Sequence, residues 1–504
     1  AAQAPQVKLH ASHAPHHRYR TPRAGMRLLA ASGRAAAGEL LLQAASTRYH
    51  GALVPMVVVT ALLAWLSRPT IHEEIPKGFR RFQATYLSAW IFCASADWLQ
   101  GPYVYALYAN YGFRRHQIAE LFVAGYVAAM VFSAAAGSMC DCLGRKRSAL
   151  AYCCLMAAGC LLMHVRSYAA LLLGRAANGF ATSLLFSCFE TWLVSEHLGR
   201  HGFSQGLLGY MFGLMYMSTY LAAIATGFVG EVLADSGVVR PMAEGSCVHW
   251  GGDLCPFELA IACLVLGAAI IACLWEENYG TDSRPSADPQ KAAGFIPNIT
   301  DCLRLWVQDR RVWLLCVVTA CFESSMYAFI FYWTPALEKE VQGEEPPYGL
   351  IFALFMMACT CGSSTATLAT NVRPASRLAI CLVAGVVTFA AAANAVRFSR
   401  FALTFACFIV FEFCVGLYFP SAGVMKSEVV PERVRATTYN LYRVPMNFVV
   451  ILLLVWDVDI QLVYSICASL LALGFCALAV AVASSRGGPK GPARRSDARS
   501  AREV

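Results

Sequence analysis

The chain has 504 residues, of which 58% are apolar and only 14% charged, and its mean hydropathy is +0.52. A soluble domain carries about a quarter charged residues, so this balance excludes a soluble enzyme and indicates a polytopic membrane protein. The net charge of +9 does not imply nucleic acid, because the basic residues fall in short loops and at the termini, where the positive-inside bias of membrane proteins puts them.

Residues 1–50 contain Ala, His, Arg, Pro and Ser and no acidic residue before Glu39, which predicts a disordered basic tail, a composition shared with organellar transit peptides. Gly51 to Leu66 is apolar but interrupted by Pro55 and shorter than the ~17 residues a span needs, so it is either an extra N-terminal span or a signal anchor. From Phe79 the pattern is regular. Apolar runs at 79–105, 118–139, 149–165, 168–195, 207–232 and 257–275 predict six helices, and runs at 312–335, 348–369, 377–397, 400–425, 436–456 and 461–483 predict six more. Between the sets, residues 276–311 carry both signs of charge with Pro285, Pro289 and Pro297, as a linker between two bundles would. Residues 484–504 form a basic tail. The expected fold is therefore an all-α polytopic membrane protein with bundles at 79–275 and 312–483.

Between the second and third runs the sequence reads G-S-M-C-D-C-L-G-R-K-R from Gly137 to Arg147. An ordinary basic turn would explain Arg145, Lys146 and Arg147 but not Gly137, Asp141 and Gly144. The side holding this turn carries most of the loop lysines and arginines, including Lys77, Arg80, Arg81, Arg310, Arg311, Lys426, Arg433 and Arg435, so it is cytoplasmic. The loop from Glu231 to Pro256 is then outside, and its Cys247 and Cys255 are candidates for a disulfide in an oxidising compartment. The one sequon, Asn298-Ile299-Thr300, falls on the cytoplasmic side and should stay unmodified. The cysteines otherwise lie mostly inside apolar runs, where a thiol packs as a small side chain. The N-terminal histidines have no cysteine partners at metal-site spacing, so neither a metal nor a cofactor is called for.

The pattern G-x-x-x-D-x-x-G-R-K at Gly137, Asp141, Gly144, Arg145 and Lys146 resembles the cytoplasmic loop signature of the major facilitator superfamily of transporters. Leu171, Arg175, Asn178 and Gly179 resemble a second motif of that superfamily, with an arginine inside the membrane. Gly209 to Gly230 lacks the proline of the drug antiporters. Longer words follow in order: A-D-W-L-Q-G-P-Y from Ala96, L-F-S-C-F-E-T-W from Leu185, E-N-Y from Glu277, D-R-R-V from Asp309, F-E-S from Phe322, W-T-P from Trp333, G-L-Y-F-P-S from Gly416 and R-V-P from Arg443. By these the chain resembles the molybdate-anion transporters from about Phe79 to Ala483. The resemblance implies the major facilitator fold, uptake of molybdate by alternating access, and no enzymatic activity. A carrier of another small anion or a sugar, and a membrane sensor or scaffold that does not transport, are the alternatives. The expected setting is a monomer in the plasma membrane, with an organellar membrane as the alternative.

Site residues are argued from chemistry. An ionisable side chain inside a span costs several kcal/mol unless paired or wetted, which singles out Asp97, Arg175, Glu190, Glu323, Glu412 and Arg443. In the eleventh run Tyr439, Arg443 and Asn447 recur at i, i+4 and i+8 with Asn440 beside them, forming one polar face. An oxyanion needs cationic and hydrogen-bonding donors, so Arg443, Asn440, Asn447, Tyr439, Arg175, Asn178, Asp97, Gln100 and Tyr418 are the candidate substrate residues. Glu323, Glu412 and Glu190 are the candidate proton-coupling groups, since burial favours a protonated carboxyl. Arg443 is expected to contact substrate; the alternative is that it neutralises Glu412. Gly137, Asp141, Gly144, Arg145 and Lys146 are expected to gate, Asp141 against the positive end of the eleventh helix and Arg145 against an acid on a neighbouring helix.

Overall fold

A computed structural model describes residues 50–71, 73–279, 304–340, 346–369, 371–430, 435–456 and 458–486, without the side chains at 50, 134, 135, 137, 138, 141, 142, 186, 339, 340, 435–437, 440, 485 and 486. The expected basic tail before His50, the Asn298 sequon, most of the linker and most of the C-terminal tail lie outside the described residues.

Within a bilayer every backbone N–H and C=O must be satisfied inside its own segment, so the apolar runs fold as helices. The short apolar segment is α1 (Leu53–Leu66), and the twelve regular runs follow. The first is split into α2 (Phe79–Gln100) and α3 (Val104–Asn110), because Gly101-Pro102 breaks the run and a proline has no N–H to continue it. Then come α4 (Arg115–Leu143), α5 (Arg145–Met163), α6 (Tyr168–Val194), α7 (Gln205–Asp235) and α8 (Cys255–Leu274). After the linker stand α9 (Arg310–Glu340), α10 (Tyr348–Leu368), α11 (Pro374–Arg397), α12 (Phe401–Val429), α13 (Arg435–Val455) and α14 (Ile460–Arg486). Ten helices among the described residues are long and apolar enough to cross a membrane. α2 is not among them, and the apolar part of α13 starts only at Leu441.

Helix crossings are set by glycine. Where α4 meets α6, a Cβ on Gly179 would collide with the Gly125 carbonyl, and where α10 meets α12, Cβ atoms on Gly362 and Gly416 would collide with the backbone at Phe413 and Cys359. Small residues let membrane helices approach to backbone contact. The same device thus stands between the helices of the second and fourth apolar runs of each set. The halves meet along two seams, α4 against α13 and α7 against α10.

α1 lies along α10. Thr60 Oγ1 sits 3.3 Å from Cys361 Sγ and donates to the Met357 carbonyl at 3.4 Å, and Ser67 Oγ donates to Ser364 Oγ at 2.9 Å. The Thr60–Met357 and Ser67–Ser364 pairs share a sequence offset of 297, so the two helices run parallel. Val54, Val58, Leu62 and Trp65 of α1 are exposed, as side chains facing lipid would be.

Outside the bundle, α7 and α8 are joined by a hairpin of β1 (Arg240–Pro241) and β2 (His249–Trp250), tied to the α5–α6 turn by a Val165–Val248 bridge. The disulfide expected in this loop does not form: Cys247 and Cys255 are free thiols. The carbonyl of Cys247 is held by the Arg166 amide at 2.8 Å, which fixes it in the hairpin, while Cys255 opens α8.

Candidate functional site

The basic turn is built around Gly144, whose φ of +102° is open to glycine and strained for other residues. A Cβ there would also meet the Glu277 carboxyl. Glu277 caps the start of α5, accepting from the amides of Lys146 at 2.8 Å and Arg147 at 3.2 Å, where a carboxylate satisfies orphan N–H groups and the helix dipole together. Arg145 donates to the Thr191 carbonyl at 3.1 Å, and its amide donates to the Asn278 carbonyl at 3.0 Å. Arg145 and Glu277 thus tie the E-N-Y word to the turn as its other half. The side chains of Gly137 and Asp141 lie outside the described residues.

Between the halves lies a cavity of about 190 Å³. From the first half α4 supplies Tyr126 and Ser133, and α6 supplies Arg175, Asn178 and Thr182; from the second half α9 supplies Tyr327, and α13 supplies Arg443 and Asn447. Arg175, Asn178 and Thr182 stand at i, i+3 and i+7, one face of α6. The Arg175 guanidinium lies 4.8 Å from the ring of Phe122, over Gly125, where a Cβ would stand 3.1 Å from its Nη2. Among the described residues its Nε is buried without a hydrogen-bond partner, as is Asn178 Oδ1. Across the cavity Arg443 donates to Ser133 Oγ at 3.4 Å, and Asn447 donates to the Arg443 carbonyl at 2.8 Å. Two guanidiniums, one from each half, therefore face one small space with polar atoms to spare.

Other expected residues stand behind this wall. Gln100 accepts from Asn178 Nδ2 at 3.0 Å and so orients it. Asp97, on the same helix, is close enough to Arg175 to interact electrostatically, but among the described residues no ion pair within 4.0 Å joins them. Tyr418 is fully buried and donates to Glu323 Oε1 at 3.2 Å, so it is a support for Glu323 and not a cavity residue. Glu323 also receives Lys426 Nζ at 3.4 Å. Tyr439 lies one turn from Arg443 with its ring centroid 5.8 Å from Lys426 Nζ; the Asn440 side chain is outside the described residues. Glu412 is buried near Cys359 of α10, and among the described residues it forms no ion pair with Arg443, because α13 packs on α4 and α9. Glu190 accepts from Tyr216 at 3.0 Å.

The end of the cavity away from the basic turn is closed. Phe122 and Tyr105 meet Phe331 with ring centroids 5.1 and 5.5 Å apart, and Tyr126 meets Tyr327 at 5.4 Å. Arg115 donates to the Val458 carbonyl at 2.7 Å, and Glu231 of α7 accepts from the amide of Gly349, in the first turn of α10, at 2.8 Å.

A family model described as sugar transporters, 12 TM, matches residues 48–414. A molybdate-anion transporter of Xenopus tropicalis is 33% identical over 446 residues, covering 82% of this chain and 90% of its own length. One of Danio rerio is 31% identical, covering 77% and 82%. Among solved structures, a nucleoside transporter superposes with a TM-score of 0.59 at 15% identity, over 80% of this chain and 98% of its own. A D-xylose–proton symporter gives 0.59 at 13% identity, over 80% and 97%. At such identities these structures share the fold with the chain and nothing finer.

Proposed function

We propose that this chain, which belongs to the molybdate-anion transporter family, carries molybdate inward across a membrane by exposing the cavity between α4, α6, α9 and α13 to each side in turn. The observation that supports this reading most directly is the pair Arg175 and Arg443, one guanidinium from each half beside a cavity of about 190 Å³. Drug-sized ligands occupy pockets of roughly 300–1,000 Å³, so the space suits a small solute. Holding two cations near the middle of a membrane is costly unless an anion offsets them. A tetrahedral dianion does so, with oxygens for both guanidiniums and for the hydroxyl and amide groups of Ser133, Thr182, Asn178 and Asn447. A neutral sugar gives no return on the two charges.

Because the arginines belong to different halves, a bound dianion bridges them and favours the closed intermediate through which a rocking carrier passes. We assign proton coupling to the carboxyls of Glu412 and Glu190, which stand within the spans, because Glu323 is already paired with Lys426.

The test is uptake of labelled molybdate into liposomes holding the purified protein, with an acidic exterior and with tungstate, sulfate or glucose as competitor. Saturable uptake that tungstate suppresses and glucose does not is expected. Uptake equal to that of protein-free liposomes would remove the molybdate reading, and uptake indifferent to the proton gradient would remove only the coupling.

A further inference from the structure

Beneath the cavity lies a third cation that the proposed binding site does not use. Lys426 of α12 and Glu323 of α9 are paired at 3.4 Å with side chains only 15% and 12% exposed. Glu323 is one turn from Tyr327 and Tyr439 is one turn from Arg443, and both α9 and α13 start at the end of the molecule that holds the basic turn. One turn earlier on either helix is therefore about 5.4 Å nearer that end. The Lys426 ammonium stands at this level, against the face of Tyr439.

An ammonium has three N–H donors, and among the described residues Glu323 is the one acceptor bonded to Lys426. Two donors remain. Pro420 lies inside α12 between Tyr418 and Lys426, and a proline in a helix loosens the backbone ladder where it sits, which lets the last turns of α12 move separately from the crossing at Gly416.

We propose that Lys426 is a second station for the divalent oxyanion, one helical turn toward the cytoplasm from Arg443, and that it takes the anion as the carrier releases it. The proposal rests on the anion-transport reading above. A dianion leaving two guanidiniums for an apolar wall would meet a high barrier, and a single ammonium lowers it. Glu323 keeps its own hold on the ammonium, so the station stays weak, as a release site must. Glu323 is in this sense a positioning residue: it sets the strength of Lys426 and does not touch the anion.

The experiment compares wild type, Lys426→Arg, Glu323→Gln, the double variant Lys426→Ala with Glu323→Gln, and Arg443→Ala, all in liposomes with labelled molybdate. The double variant removes both charges and leaves no unpaired carboxylate to impair folding. Its maximal rate is expected to fall about tenfold with the apparent affinity within about twofold of wild type, while Lys426→Arg retains most of the rate. Glu323→Gln alone, which frees the ammonium, is expected to tighten binding and slow release into unlabelled medium. A double variant that turns over at the wild-type rate, beside an impaired Arg443→Ala, overturns the second station and leaves the transport reading intact. If Arg443→Ala is also unimpaired, the cavity reading itself fails.

Discussion

Arg443 shows how much one side chain is asked to do. Its guanidinium lines the cavity from α13 and touches Ser133 of the other half, so the proposed anion ligand is also a contact across the seam. A guanidinium offers two parallel charge-assisted bonds to an oxyanion where a lysine offers a point charge. Arg443→Ala is expected to weaken molybdate binding by at least ~1.5–3 kcal/mol, roughly tenfold or more in the concentration dependence of uptake, with Arg443→Lys recovering part of it. Because Arg443 forms no ion pair with Glu412, adding Glu412→Gln to Arg443→Ala is expected to change neither abundance nor affinity further. Normal affinity in Arg443→Ala would remove the residue from the site, and recovery on adding Glu412→Gln would show the two to be coupled.

At the scale of elements, α1 is the addition to the twelve-helix plan. It is too short to span alone, yet its register along α10 holds over two polar contacts with the same offset. After α1 the chain crosses from α10 of the second half to α7 of the first, where Pro69 packs against Gly213 and Glu73 against Gly206. Thr60 faces a native thiol, Cys361, at 3.3 Å, so Thr60→Cys is expected to form a disulfide with it under mild oxidation, a pair whose geometry hydrogen-bond contact permits. Proteolysis between α1 and α10 followed by non-reducing electrophoresis reads the link, and Cys361→Ser must abolish it. No link in Thr60→Cys would mean that α1 does not lie on α10.

For the whole molecule the question is which contacts hold one end shut. Glu231 gives its carboxylate to the first turn of α10 from the opposite half, where the helix dipole adds to the hydrogen bond; such an interaction is worth about 0.3–1 kcal/mol and up to ~2 when partly buried. Glu231→Gln keeps an acceptor and loses the charge. It is expected to shift the population toward opening at that end by roughly two- to fivefold, the equivalent of about 0.3–1 kcal/mol. A cysteine at Thr182, in the cavity wall, reads this through its rate of labelling by an impermeant maleimide from outside. An unchanged rate would show that the aromatic pairs at Phe331 and Tyr327 hold the closure without Glu231.

Hydropathy, turn glycines and loop charge are local properties, so the sequence alone determined which segments are helical and in what order, and the basic turn at Gly144. It also placed Tyr439, Arg443 and Asn447 on one polar face, because the helical period relates residues on one helix to each other. The rotation of each helix about its axis is another matter. It is fixed by packing, here by Gly179 against Gly125, Gly362 against Phe413 and Gly416 against Cys359, and that decided which polar faces meet. Ser133, Thr182, Tyr126 and Tyr327 entered the cavity this way although single hydroxyls in apolar runs are unremarkable in sequence; the spacing of Thr182 from Arg175 was the one available signal. The same packing turned Tyr418 and Glu412 away from the cavity. It also brought Lys426 onto Glu323, a pairing between helices 103 positions apart in the chain that no local pattern encodes.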